Sequence, residues 1–187
     1  MKGVQLIFSF VFLHLLSFSQ VTETFTDERD GHVYKVVTIG KQTMMAENFA
    51  YKPQNGNCWK FDGDETNVSK YGYLYDWETA KTMAPNGWHL PTKDEWKALY
   101  ANTGDDHLIV FENLIESGNF GFNALFGGSR NSSSAFTGLG STTEFWSSSA
   151  DEDGNPWSFD FDTDFYRVSF STKDPSCGFS VRLFKDE

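Results

Sequence analysis

The stretch Asn86-Gly87-Trp88-His89-Leu90-Pro91-Thr92-Lys93-Asp94-Glu95-Trp96 constrains this chain more than any other, because it sets a turn, a strand and a helix start in immediate succession. Asn and Gly both tolerate positive φ, so Asn86-Gly87 predicts a tight turn. Trp88 and Leu90 then point one way with His89 between them, and Pro91 ends the strand by withholding an amide donor. Thr92 and Glu95 have the spacing of a capping box, in which each side chain satisfies the other's backbone amide. Trp96, Leu99 and Tyr100 fall at i, i+3 and i+4, which predicts a helix from Lys93 to about Ala101. A second helix, capped by Asp76 and running to about Met83, is expected from the shared inner face of Trp77, Ala80 and Ala84.

Ahead of this block the chain begins Met1-Lys2 and continues as an apolar run that ends in small residues. Residues 1–19 read as a secretory signal peptide cleaved after Ser19. The run is shorter than the about 20 residues that a span requires, so no membrane insertion is expected after cleavage. Residues 20–29 are polar and acidic and are expected to form an unstructured leader. Residues 30–187 are expected to form one domain with a core of its own. A net charge of −11 argues against nucleic acid or an anionic membrane as partner.

The domain should open with a hairpin, Tyr34–Ile39 returning through Gly40-Lys41 to Gln42–Ala46. Residues 51–70 read as a long loop, and 102–119 as a loop holding one helical turn or strand at Leu108–Phe111. The second half is strand and turn. Trp157, Phe159 and Phe161 alternate with Ser158, Asp160 and Asp162, and the segments at Tyr166–Phe170 and Phe179–Phe184 repeat the pattern, so three closing strands are expected to form an antiparallel meander. The terminal one should lie near the opening hairpin. The fold class is α+β: two short helices packed on antiparallel sheet with long irregular loops.

Nineteen Phe, seven Tyr and six Trp exceed what a core of this size needs, so some rings are expected at the surface. Trp77, Trp88 and Trp96 belong to the core, and Trp59, Trp157 and Tyr166 are the candidate ligand platforms. Asp151, Asp153 and Asn155 are the candidate ligands for a calcium ion, although their spacing fits no helix-loop-helix calcium loop and a solvated acidic turn is the alternative. His89 has no partner nucleophile in the sequence and is expected to be a hydrogen-bonded structural residue. Arg130 and Arg182 are expected to pair with acids such as Glu47 or Glu95. An exported chain would let Cys58 and Cys177 form a disulfide, with two free buried thiols as the alternative.

The segments Gly31–Gly40, Met45-Ala46-Glu47-Asn48, Tyr71–Trp77, Gly87–Trp96, Phe145-Trp146-Ser147-Ser148 and Gly178–Arg182 resemble, in order, the Fibrobacter succinogenes major paralogous domain. That resemblance implies an exported bacterial surface domain whose biochemical role is largely undefined. The family is similar in turn to the C-type-lectin-like fold of formylglycine-generating enzymes, through Leu90-Pro91-Thr92 and Glu95-Trp96. Those enzymes use a cysteine pair in the C-terminal half to bind copper, and this chain has only Cys177 there. The family commonly carries cysteines where this chain has Ala84 and Leu183. Loss of that bridge forfeits about 4–5 kcal/mol on the chain-entropy model, offset by packing of Ala84 on Leu183. What the resemblance implies is a non-catalytic binding or adhesion module, without cofactor unless calcium, for a glycan or surface protein. The other readings are a degenerate enzyme-like domain holding a metal or small molecule in a lectin-like cleft, and a structural module of a surface assembly.

Overall fold

The computed structural model describes residues 23–187; the expected signal peptide lies outside them. The chain opens with three antiparallel strands, β1 (Glu23–Thr26), β2 (Val33–Ile39) and β3 (Gln42–Met45). The expected hairpin joins β2 to β3 with Ile39 opposite Gln42, and Gly40 takes a φ of 63° as the first residue of its two-residue turn. β1 corrects the expected leader, whose residues from Glu23 onward are ordered. Phe25 packs on Trp88 with ring centroids 4.9 Å apart. Asp27 is fully buried and accepts bonds from the Arg29 amide and guanidinium. One apolar residue in a four-residue strand carries no periodicity, which is why the sequence hides it.

The middle of the chain holds more helix than its pattern predicts. β4 (Cys58–Trp59) leads through a 3-10 turn at Phe61–Gly63 into α1 (Glu65–Tyr71), inside the expected loop. Asp64 caps α1 by accepting from the Thr66 amide, and none of its residues is buried, so no apolar face announces it. β5 (Leu74–Tyr75) precedes α2 (Trp77–Thr82), capped by Asp76. β6 (Trp88–His89) precedes α3 (Lys93–Thr103), where the Thr92 and Glu95 capping box is complete. α4 (His107–Leu114) takes up Leu108–Phe111, with Asp106 as its cap. Four α-helices, rather than two, are present among the described residues.

β7 (Gly127–Arg130), β8 (Phe136–Leu139), β9 (Thr142–Ala150), β10 (Pro156–Asp162), β11 (Arg167–Thr172) and β12 (Phe184–Lys185) complete the fold. Two five-stranded sheets form, ordered β1-β2-β3-β12-β6 and β11-β10-β9-β7-β8, with β4-β5 a small third. All pairs are antiparallel except β7 with β9. The architecture is therefore α+β.

Several strands are buried on both faces, because successive side chains on a strand point opposite ways. Met44, Phe145 and Phe184 enter a Phe-rich cluster beneath α3 and α4 with Trp96, Phe159 and Phe161. Their neighbours Met45, Trp146 and Leu183 enter a second cluster with Tyr34, Phe49, Tyr75 and Trp88. Ala84 packs at the margin of the cluster that holds Leu183.

The closing segment departs from the expected meander. β9, β10 and β11 do form one, with Phe159 opposite both Phe145 and Phe170. Residues 178–183 instead run between the sheets and make single bridges: Gly178 to Arg130, Phe179 to Tyr75, Ser180 to Phe145. Only then does β12 join β3 and β6, with Phe184 opposite Met44 and His89. Every residue from Phe179 to Phe184 is buried, so the alternation read in the sequence is not an inside-outside pattern.

Candidate functional site

His89 sits where the central turn delivers it, and both of its ring nitrogens are taken. Nδ1 lies 2.7 Å from Asp186 Oδ1, and Nε2 lies 2.8 Å from Glu95 Oε1. Burial acts to lower its pKa, but the bonds to Asp186 and Glu95 outweigh it and hold the imidazole above its ordinary value. Glu95 spends its other oxygen on the amide and hydroxyl of Thr92. These groups edge an open cleft of about 720 Å³ whose lining includes Lys81, Ala84, Trp88 and Ser148. His89, Glu95 and Thr92 are engaged with one another, while Lys81 and Thr82 bond Glu78 outside the cleft.

The three candidate platforms have different fates. Trp59 is half-buried, with the Arg130 guanidinium 4.1 Å from its ring centroid. Its edge presses on Gly178, where a Cβ would come within 2.8 Å of the ring. Trp157 is also half-buried, and Lys93 Nζ stands 2.8 Å over its centroid. It lies opposite the extra residues Ser147–Ser149 of a β9 bulge, out of line with Phe159 and Phe161. Tyr166 is 59% exposed, and its neighbour Phe165, which sequence reasoning passed over, is 70% exposed. Trp157 and Tyr166 mark opposite ends of the β10–β11 hairpin, about 17 Å apart at strand rise. Of the rings expected in the core, Trp88 and Trp96 are buried and the Trp96 indole donates to Trp146 O at 3.2 Å, whereas Trp77 is half-buried at the edge of its cluster, its indole donating to Ser147 O at 2.8 Å and Lys81 3.7 Å over its ring.

The tip that carries Phe165 and Tyr166 is built by Asp162, whose Oδ1 accepts from the amides of Asp164 and Phe165. Tyr166 closes the turn at φ 48°, a left-handed backbone that aromatic residues avoid. Its edge meets Phe111 of α4 at 5.8 Å, and Arg167 reaches over Phe165 at 5.8 Å. Leu108 and Ile109 of α4 are exposed as well. The available signal was Asp-Thr-Asp-Phe-Tyr between two alternating strands, with aromatics where a turn favours Gly or Asn.

The acidic turn is organised from within. Asp151 Oδ1 accepts from the amides of Asp153 and Asn155 and from the Asn155 side chain, and these bonds hold its carboxyl below the usual range. Asp153 and Asn155 donate their backbone amides, and Asn155 its side-chain amide, to Asp151, the pattern of a self-organised acidic turn. No group of three or more His, Cys, Asp or Glu among the described residues is placed to hold a metal ion.

Two charged groups lie inside the fold, Arg182 with partners other than those expected and Glu144 unforeseen. Arg182 is completely buried and pairs with no acid, in contrast to expectation. Its guanidinium donates to Asn48 Oδ1, Met45 O, Phe122 O and Asn123 O, and lies 4.7 Å over Phe122. Burial pulls its pKa down to about 9, so it stays charged at neutral pH. Arg130 likewise meets Trp59 and Ser134 rather than a carboxylate. Glu144 stands directly opposite Asp160 across the β9–β10 pair. Burial, reinforced by Asp160, pushes Glu144 up to about 7, and Glu144 Oε2 and Asp160 Oδ1 are buried without a partner. Lys173 bonds the other oxygen of Asp160 at 3.1 Å.

Of the two readings left open for Cys58 and Cys177, the structure has the free thiols. Cys58 pairs with one edge of Tyr75, while Phe179, two residues after Cys177, pairs with the other. A strand therefore separates them, which implies about 10 Å between backbones where a disulfide needs less than about 7 Å. Burial pushes both thiols up.

Fold and side-chain arrangement together define an α+β domain of two five-stranded sheets, with α2, α3 and α4 packed mainly against the β11-β10-β9-β7-β8 sheet and an exposed aromatic hairpin tip. The chain belongs to the Fibrobacter succinogenes major domain family, whose model matches residues 37–185. No curated protein and no solved structure matches it. No described helix is long and apolar enough to cross a membrane.

Proposed function

We propose that the protein is an exported, non-catalytic binding or adhesion module on a C-type-lectin-like scaffold, and that it takes a glycan or surface-protein ligand at the Phe165–Tyr166 tip. The observation that carries this reading is that cations stand close over the half-buried rings of Trp59 and Trp157, at 4.1 and 2.8 Å, while the two adjacent rings of the tip stay 70% and 59% exposed, with Arg167 5.8 Å from Phe165. The exposed area of the Phe-Tyr pair adds little to an isolated domain, and the left-handed Tyr166 costs it about 1–3 kcal/mol. Exposed apolar rings with acidic and basic neighbours suit stacking against a sugar or an apolar protein surface. Non-catalysis is supported by His89, whose two nitrogens are both engaged and leave no free base. Export rests on residues 1–19.

A glycan array and a panel of purified surface proteins, each probed with calcium and with chelator, test the reading. Binding independent of calcium supports it. Binding that needs calcium favours the metal-holding alternative, and the absence of any ligand favours the structural module.

A further inference from the structure

We propose that His89 is a proton-dependent clasp that holds strand β12 against β6 and the start of α3 when the imidazole is charged, and releases it when neutral. A neutral imidazole carries one N–H, yet its two nitrogens stand 2.7 and 2.8 Å from two carboxylates. Only the imidazolium can donate to both, and loss of its proton leaves a ring lone pair facing a carboxylate oxygen.

The placement gives that proton mechanical leverage. Lys185 and Phe184 pair with Trp88 and His89, and the Asp186 amide donates to Gly87 O at 2.9 Å. β12 is the strand through which β6 joins the rest of its sheet. Glu95 belongs at once to the clasp and to the capping box of α3, so one proton links sheet edge, helix start and cleft rim.

Other charges around the ring do not replace it. From α3 the facing acid is Glu95, and from the segment after β12 it is Asp186. Lys81 of α2 lines the same cleft but is held by Glu78 at 2.9 Å and over Trp77 at 3.7 Å. Lys185 beside it is exposed. Bonding to the two acids keeps His89 protonated above its usual range, so the clasp is closed below about pH 6.5 and opens as pH rises through the higher folded value.

The test uses the full chain and reads the clasp locally, because Glu144 titrates in an adjoining range. The His89 ring is titrated by NMR, and exchange of the Asp186 amide is followed from about pH 6 to about pH 9 with intrinsic rates removed. Expected are a ring that titrates above 6.5 and about a tenfold loss of Asp186 protection across its titration. Asp186→Asn should lower the ring's titration point. A ring that titrates at or below 6.5, or Asp186 protection constant across the range, overturns the proposal. These two wild-type readouts decide it even if the variant does not fold.

Discussion

The interior and the β10–β11 tip treat the same kinds of side chain in opposite ways. Inside, Arg182 finds four acceptors, the indoles of Trp77, Trp96 and Trp146 each reach a carbonyl, and half-buried Trp59 and Trp157 are covered by cations. At the tip two rings remain more than half exposed, with one loose neighbour each in Arg167 and Phe111, and Tyr166 holds a left-handed backbone. The difference teaches where stability and function part company. Saturated partners mark residues that hold the fold, and bare ones at a cost to the backbone mark residues kept for something outside it.

The sharpest way to break that comparison is Arg182→Leu. It strips four bonds at once and leaves buried carbonyls unmet, so it should cost about 3–5 kcal/mol in urea denaturation, with Arg182→Lys failing to restore the fork. A loss under about 1 kcal/mol would mean that the interior does not depend on saturation.

Glu144 is the interior's exception, and its proton should report this. Below about pH 4.5 the carboxyl is protonated folded or unfolded. Between there and about 7 the unfolded chain releases the proton and the folded chain retains it, so stability falls as pH rises. The loss is on the order of 2–3 kcal/mol, and Glu144→Gln should flatten that part of a pH series of melts.

Next in size is the hairpin compared end to end. Trp157→Ala should cost about 2 kcal/mol, less than a fully buried Trp, whereas Phe165→Ala should cost under about 0.5 kcal/mol in the same assay. Equal costs would erase the distinction between its ends. Tyr166→Gly acts in the opposite direction, relieving left-handed strain worth up to about 1 kcal/mol but losing the Phe111 contact, for a net gain in stability under about 0.5 kcal/mol.

Much of the scaffold could be read from local chemistry. The Thr92–Glu95 box, the Gly40 hairpin and the β10 strand each act within a few residues, and each is present, although the β9 bulge breaks the β10 alternation at Trp157 and Ser158. What escaped depends on distant partners. β1 is defined by pairing with β2, α1 by a cap without an apolar face, and residues 178–183 by strands on both sides. Glu144 and Asp160 become neighbours only through the register of β9 and β10. Arg182 drew a carboxylate in expectation because opposite charges attract. Its neighbours are carbonyls freed where the backbone turns at Phe122 and Asn123, which no spacing rule in the sequence displays. The tip was half legible: Tyr166 was singled out, while Phe165 was not.

The measurement that reaches the central claim most directly is binding of the wild-type chain, beside a Phe165→Ser, Tyr166→Ser double variant, to the glycan and protein panels, with thermal melts run in parallel. The account predicts a ligand for the wild type, at least a tenfold loss of affinity in the double variant, about 1.4 kcal/mol or more, and a melt unchanged or slightly raised. A ligand held equally well by both chains, or a melt that collapses with the tip, would contradict it.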